Sequence, residues 1–265
     1  MGTYVISDIH GCYDKLQKLL EIISFSNDDL LILAGDYIDR GKQNIEILRW
    51  LARKQKNVIA IKGNHDIDFC LYIGVMEQAQ SDYNLSIDES YPGDAEKLYY
   101  FTKYALEKTN PLGCIYFDYY ETVERLVKSG KSNFNEMKKW KKMIEDYPFF
   151  VKKEINNVPH IIVHAGYTEE FYSNSESIKS VEEFYIYARE EALLGGIVDG
   201  VVVAGHTPTV MEDTVFYTGG DVFKKYDKEK NCTFYNIDCG CAYEGYKKGS
   251  KLAAIRLEDK RCFYI

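Results

Sequence analysis

The sequence predicts an α/β protein in which two packed sheets are flanked by helices, and three observations carry that prediction. Residues 4–61 alternate short apolar runs with helical patterns, as a parallel βαβαβ unit requires. The second half crowds strand-like runs together with tight turns, which indicates partly antiparallel pairing. Five apolar runs end in a metal-ligand residue type, usually beside a glycine. Open α/β sheets place ligands at the carboxyl ends of their strands.

In chain order, Tyr4-Val5-Ile6 reads as a buried strand running into Ser7-Asp8-Ile9-His10-Gly11. Alternation along extended chain puts Asp8 and His10 on one side, within reach of one point. Tyr13–Ser24 reads as a helix with Leu16, Leu19, Leu20 and Ile23 on one face. After the turn Asn27-Asp28-Asp29, a strand at Leu30–Ala34 runs into Gly35-Asp36-Tyr37-Ile38-Asp39-Arg40-Gly41. Asn44 is the expected N-cap of a helix reaching about Lys56, with Ile45, Leu48, Leu51 and Ala52 inward. The strand Val58–Ile61 leads to Gly63-Asn64-His65-Asp66.

From about 77 to 147 no strand ends in a metal-type residue. Tyr83, Tyr91, Tyr99, Tyr100, Tyr104, Tyr116, Tyr119 and Tyr120 crowd this stretch, and Asp94–Lys108, Tyr119–Lys128 and Phe134–Asp146 look helical. It reads as a mostly helical insertion, serving either as a substrate-facing cap or as aromatic helix packing. Phe149–Glu154 and Pro159–Val163 then form a hairpin across Asn156-Asn157 and lead to His164-Ala165-Gly166. Val181–Leu194 has an amphipathic helical pattern. Val201–Ala204 runs into Gly205-His206-Thr207-Pro208-Thr209; Thr214–Tyr217, Thr233–Ile237 and Leu252–Leu257 read as strands, and Arg261–Ile265 closes the chain. The expected organisation is one domain, 1–265, carrying the helical insertion at about 77–147.

A chain of 265 residues with 46% hydrophobic content can build a sizeable core. A net charge of −8 with a pI near 5.3 argues against non-specific binding to nucleic acid or anionic membrane. It leaves an anionic substrate open, because bound divalent ions reverse the local sign. No apolar run reaches transmembrane length and no signal-peptide pattern opens the chain, so a cytoplasmic protein is expected. The seven cysteines are scattered and expected to be reduced. Cys239-x-Cys241 fits a tight turn better than zinc, since no second such pair accompanies it.

Four of the five histidines lie in the strand-end junctions. A capped turn explains one such junction but not five with this residue selection. The ordered set Asp8-x-His10, Gly35-Asp36-x-x-Asp39-Arg40-Gly41, Gly63-Asn64-His65-Asp66, His164-Ala165-Gly166 and Gly205-His206-Thr207-Pro208 resembles the PPP-type metallophosphoesterases of the calcineurin-like superfamily. It is most similar to bacterial serine/threonine protein phosphatases and the related symmetrical diadenosine tetraphosphatases. The tail, Asn236-Ile237-Asp238-Cys239-Gly240-Cys241-Ala242-Tyr243, resembles the same branch. Asp66 stands where eukaryotic protein phosphatases carry Glu. The resemblance implies a four-layer α/β/β/α sandwich of two mixed sheets.

It also implies a two-metal phosphoric ester hydrolase. Such a site needs a bridging carboxylate with oxygen and imidazole ligands on either side. Asp36 is the expected bridge, Asp8 and His10 complete one metal, and Asn64, His164 and His206 complete the other. This mixed ligand set suits manganese first, then iron or zinc, over calcium. By resemblance His65 is the general acid. Asp39 either holds the other nitrogen of His65 or pairs with Arg40. Arg40 has a planar fork suited to phosphate oxygens, and Asn64 also contacts substrate. Arg189, the only arginine between His164 and His206, is either a second phosphate-binding arginine or an exposed helix residue. Tyr243 is open between site and packing.

The implied reaction is in-line attack of a metal-bridging hydroxide on phosphorus. Cys-x5-Arg and P-loop spacings are both absent from the sequence. The first expectation is a phosphomonoesterase acting on phosphoserine and phosphothreonine in proteins. The alternatives are a hydrolase of diadenosine tetraphosphate or another small phosphorylated metabolite and, remotely, an inactive metal-binding scaffold. The expected partner is thus a phosphoprotein or a small phosphorylated substrate.

Overall fold

The computed structural model describes residues 1–119, 121–170 and 178–265. Its strands are β1 (Thr3–Ile6), β2 (Leu30–Leu33), β3 (Val58–Ala60), β4 (Phe150–Ile155), β5 (Val158–Val163), β6 (Val201–Ala204), β7 (Phe223–Asp227), β8 (Cys232–Asn236), β9 (Ala253–Arg256) and β10 (Cys262–Tyr264). They form two mixed sheets, ordered β10-β9-β1-β2-β3 and β4-β5-β6-β8-β7. β1, β2 and β3 run parallel, as do β5, β6 and β8, while the remaining pairings are antiparallel.

Strand alternation divides the core. Val5, Ile32, Ile162, Val203 and Ile255 are buried between the sheets. Tyr4, Ile6, Leu31 and Leu33 point the other way, into a cluster shared with α1 (Tyr13–Ile22), α2 (Asn44–Ala52), α3 (Asn64–Asp82), α4 (Pro92–Thr109), α6 (Glu121–Lys128) and α7 (Phe134–Glu145). Because β1 is covered on both faces, its sequence is apolar without alternation. The remaining helix of the excursion, α5 (Pro111–Tyr119), packs on α4. On the far side, α8 (Val181–Tyr187) covers the second sheet through Phe184, beside Phe216 and Phe234. The layers are helix, sheet, sheet, helix. Among the described residues no helix is long and apolar enough to cross a membrane.

The hairpin forms as expected, with Asn156 and Asn157 at φ of 52° and 61°, the left-handed pair a type I′ turn needs. Three local expectations are corrected, and one helix is added. Asn44 does not cap α2; it is the first helical residue, after Gln43. Its Oδ1 accepts from the Asp39 amide (3.0 Å) and its Nδ2 donates to the Gly41 carbonyl (3.1 Å), so it braces the loop after β2. The helix expected over 181–194 breaks after Tyr187. The Tyr185 carbonyl is taken by the Ala165 amide (2.8 Å), and the Arg189 amide donates to Glu191 Oε2 (3.1 Å) instead. Thr214–Tyr217 is a pair of turns rather than a strand; Phe216 is apolar because it packs on Phe223 and Phe234. α3, a 19-residue helix starting at Asn64, was hidden behind the motif that opens it.

The helix expected at Tyr119–Lys128 is α6 at Glu121–Lys128; Tyr120 and the side chains of Tyr116 and Tyr119 lie outside the described residues. Of the other tyrosines in that stretch, Tyr99 is buried while Tyr83, Tyr91, Tyr100 and Tyr104 are exposed.

Candidate metal centre

The carboxyl ends of β1, β2, β3, β5 and β6 face one another across the two sheets. The loops there bring together Asp8 and His10, Asp36, Asp39 and Arg40, Asn64 and His65, His164, and His206. Asp36 stands at the centre. Its Oδ2 lies 3.5 Å from His10 Nε2 and 3.9 Å from His65 Nε2, and its Oδ1 lies 3.4 Å from His164 Nε2. Asp36 belongs to two groups of converging ligand atoms, one with His10 and His65 and one with His164 and His206.

Which atoms carry protons follows from the hydrogen bonds. His10 Nδ1 donates to the Ile38 carbonyl (2.8 Å) and His164 Nδ1 to the Ala34 carbonyl (2.9 Å). A neutral imidazole with Nδ1–H presents a lone pair at Nε2. His164 Nε2 therefore turns that lone pair toward Asp36 Oδ1 and toward Asn64 Oδ1, 3.1 Å away. Asp8 Oδ1, 3.9 Å from His10 Nε2, and His206 Nε2 are buried without a hydrogen-bond partner among the described residues. Buried acceptors facing each other with no donor between them are costly unless a cation sits among them. The donor set, two carboxylates, an amide oxygen and three imidazoles, fits divalent metal ions.

The backbone is bent to make this possible. Asp8, His10, Asp36, Asp39, Arg40 and His206 all lie at positive φ, between 45° and 77°. Each costs of order 1–2 kcal/mol unless the surroundings impose it, and such strain collects at functional sites. Asp66 supplies part of the restraint: its carboxylate accepts from the amides of Asp36 (2.8 Å), Tyr37 (3.0 Å) and Gly63 (3.0 Å). Gly35 supplies clearance. It sits at φ +87°, and a Cβ there would stand 2.7 Å from the Gly63 amide nitrogen and 2.8 Å from His164 Nδ1. Gly35→Ala is expected to cost about 2–4 kcal/mol, from left-handed strain plus overpacking. An unchanged urea midpoint would refute this.

The charges agree with a cluster short of positive charge. Burial pushes the Asp8 carboxyl up to about 6 and Asp66 up to about 7, and lifts Asp238 well above the carboxylate range. Burial also drives His10 down to about 3 and His206 well below the usual imidazole range. At Asp36 burial works the other way and loses: His164, His65, His10 and His206 hold it below the carboxylate range. Burial likewise opposes the charged form of His65, but Asp36 and the hydrogen bond to Asp39 raise it to about 9.

Of the two readings of Asp39, the geometry has it on His65, with Oδ2 2.7 Å from Nδ1. Arg40 reaches past that pair. Its Nη1 donates to the Tyr243 hydroxyl (2.7 Å), its guanidinium lies 5.1 Å from that ring's centre, and its Nη2 is 3.3 Å from His65 Nε2. Tyr243 thus stands at the site, delivered by the tail motif. Arg189, in the break after α8, lines a cavity of about 620 Å³ beside His206, with Tyr187, Glu183, Glu190, Glu191 and Asp213. Sequence reasoning gave no role to Asp66 or to Thr122, whose Oγ1 donates to Asp39 Oδ1 (2.7 Å). The Asp66 position was visible in the motif; nothing near Thr122 in the sequence marks it.

Comparison with known proteins agrees with the geometry. Two symmetrical bis(5′-nucleosyl)-tetraphosphatases are similar over part of the chain. That of Buchnera aphidicola subsp. Baizongia pistaciae is 43% identical over 83 residues, 31% of this chain and 30% of the relative. That of Baumannia cicadellinicola is 39% identical over 106 residues, 39% of this chain and 36% of the relative. The matched stretch therefore spans about a third of these relatives' lengths, 30% and 36%. A serine/threonine phosphatase from Saccharomyces cerevisiae superposes over 98% of this chain and 73% of its own, with a TM-score of 0.51 at 12% identity, a likeness of fold alone. The family model for calcineurin-like phosphoesterases matches residues 1–237. The chain belongs to the calcineurin-like phosphoesterase family, whose members are metal-dependent phosphoric ester hydrolases.

Proposed function

We propose that the protein is a dinuclear phosphomonoesterase that takes phosphoserine and phosphothreonine in proteins. The observation that carries this is the Asp36 carboxylate, with one oxygen facing His10 and His65 and the other facing His164. Asp8, His10, Asp36, Asn64, His164 and His206 are the ligands we assign. Two divalent ions there, manganese by preference, would offset phosphate charge and lower the pKa of water. Arg40 would bind two phosphate oxygens, with Tyr243 fixing its fork, and Asn64 and Arg189 would add contacts to the same group. Water would add to phosphorus as the bond to the leaving oxygen breaks, with His65 donating its Nε2 proton to that oxygen and regaining one from the added water as the phosphate product forms. Asp39 holds the opposite nitrogen and stabilises the protonated ring. We read 1–265 as one domain, with the helical insertion continuous with its core.

The cavity beside His206 supports a peptide over a polyphosphate. Among the described residues, Glu183, Glu190, Glu191 and Asp213 line it against the single cation Arg189. Four carboxylates repel a polyphosphate chain and suit a basic peptide flank. The second reading, hydrolysis of dinucleoside polyphosphates, is favoured by the activity for which the two bacterial relatives are named. Side-by-side turnover of a phosphoserine peptide and of diadenosine tetraphosphate with manganese is expected to favour the peptide. The reverse preference would overturn the first reading in favour of the second. Zero turnover of p-nitrophenyl phosphate with manganese would overturn both.

A further inference from the structure

We infer that Thr122, on α6 of the helical excursion, is a positioning residue for the Asp39–His65 pair. The inference rests on the assignment of His65 as general acid. Asp39 lies on a bent loop at φ 77°, and a carboxylate there can turn about two side-chain torsions. Both of its oxygens are engaged: Oδ2 by His65 Nδ1 and Oδ1 by Thr122 Oγ1, each at 2.7 Å. A carboxylate held at both oxygens fixes the plane of the ring it binds. The hold is as rigid as α6 itself. Thr122 is fully buried, and its neighbours Val123, Leu126 and Val127 are anchored in the core shared with the first sheet. One turn on, Arg125 Nη1 donates to the Arg40 carbonyl (3.3 Å). A single helix thus grips the consecutive loop residues that carry the proposed acid's partner and the proposed phosphate clamp. Thr122 is not among the assigned metal ligands and its hydroxyl is given to Asp39, so its effect passes through Asp39.

A general acid matters in proportion to how badly the leaving group needs its proton. Phenolate needs it; p-nitrophenolate leaves nearly unaided. Thr122→Val keeps the buried methyl group and removes the hydroxyl, and is expected to lower kcat on phenyl phosphate about ten- to thirtyfold, a fraction of what general acids supply. With p-nitrophenyl phosphate the loss should stay within about threefold, with KM and manganese content unchanged, because only proton delivery is affected. Thr122→Ser should restore wild-type rates to within about twofold, and in an Asp39→Asn background Thr122→Val should add no further loss, since the two act as one unit. If Thr122→Val does not fold, Thr122→Ala, which adds no bulk, takes its place with the same expectations. Equal losses on the two esters, or an undiminished loss in the Asp39→Asn background, would overturn the inference. So would a wild-type rate in Thr122→Val while Asp39→Asn is impaired. A wild-type rate on phenyl phosphate in both His65→Asn and Asp39→Asn would instead remove the His65 assignment beneath it.

Discussion

Asp36→Asn is expected to abolish loading of both metal ions and to slow turnover of p-nitrophenyl phosphate by roughly a thousandfold or more. The size of the effect follows from position, since residues that merely orient metal ligands already cost about 10–100-fold when lost. Asp36 does more than orient: it is the residue common to both groups of converging ligand atoms. It is also a carboxylate held below the usual carboxylate range in spite of its burial. Asparagine preserves the shape, including the Oδ1 that takes the His65 amide (3.0 Å), while removing the charge. Metal analysis after desalting from manganese is the check. Two ions retained per chain would refute the shared-ligand role, even if activity were lost.

His65→Asn is expected to separate chemistry from metal binding. Turnover of phenyl phosphate should fall by about 10²–10⁴, the range a positioned general acid supplies. Manganese content should hold, because Asp36, Asn64 and His164 keep their places without the His65 ring. The ring is well placed to deliver a proton. Asp36 and Asp39 hold that proton on it, and its Nε2 is the atom left facing Arg40 and the centre. Unchanged activity would take His65 out of the mechanism. A parallel loss of manganese would make it a ligand instead, which its place beside His10 and Asp36 also permits.

Much of this site was legible because the chemistry of its side chains is rare and its framework is local. A carboxylate or an imidazole directly after an apolar run is conspicuous, and one topology gathers such ends on one edge. Other features could not be read the same way. α3 buries Phe69, Tyr72, Ile73 and Met76 on one face, but Leu71 and Val75 are apolar and exposed on another, so its sequence lacks the single apolar stripe that marks a surface helix. Thr214–Tyr217 has the composition of a strand, but its apolar content serves a packing contact at Phe216. The helix over 181–194 was broken by a hydrogen bond from Ala165, a residue outside the window any local pattern can see. Thr122 is the limiting case. Its position in an amphipathic helix is ordinary, and only the tertiary structure sets its hydroxyl against Asp39, 83 residues earlier.

The Asp8 carboxylate receives the His206 amide at 3.0 Å across a chain separation of 198 residues. That link ties the opening strand of one sheet to a late strand of the other, and contacts of such long range form slowly. The proposed centre cannot form in a half-made polypeptide, because neither sheet alone holds all the residues we assign as ligands. Catalytic competence should therefore emerge as a late event, after the halves have docked, leaving a nascent chain inert toward every phosphate ester it meets.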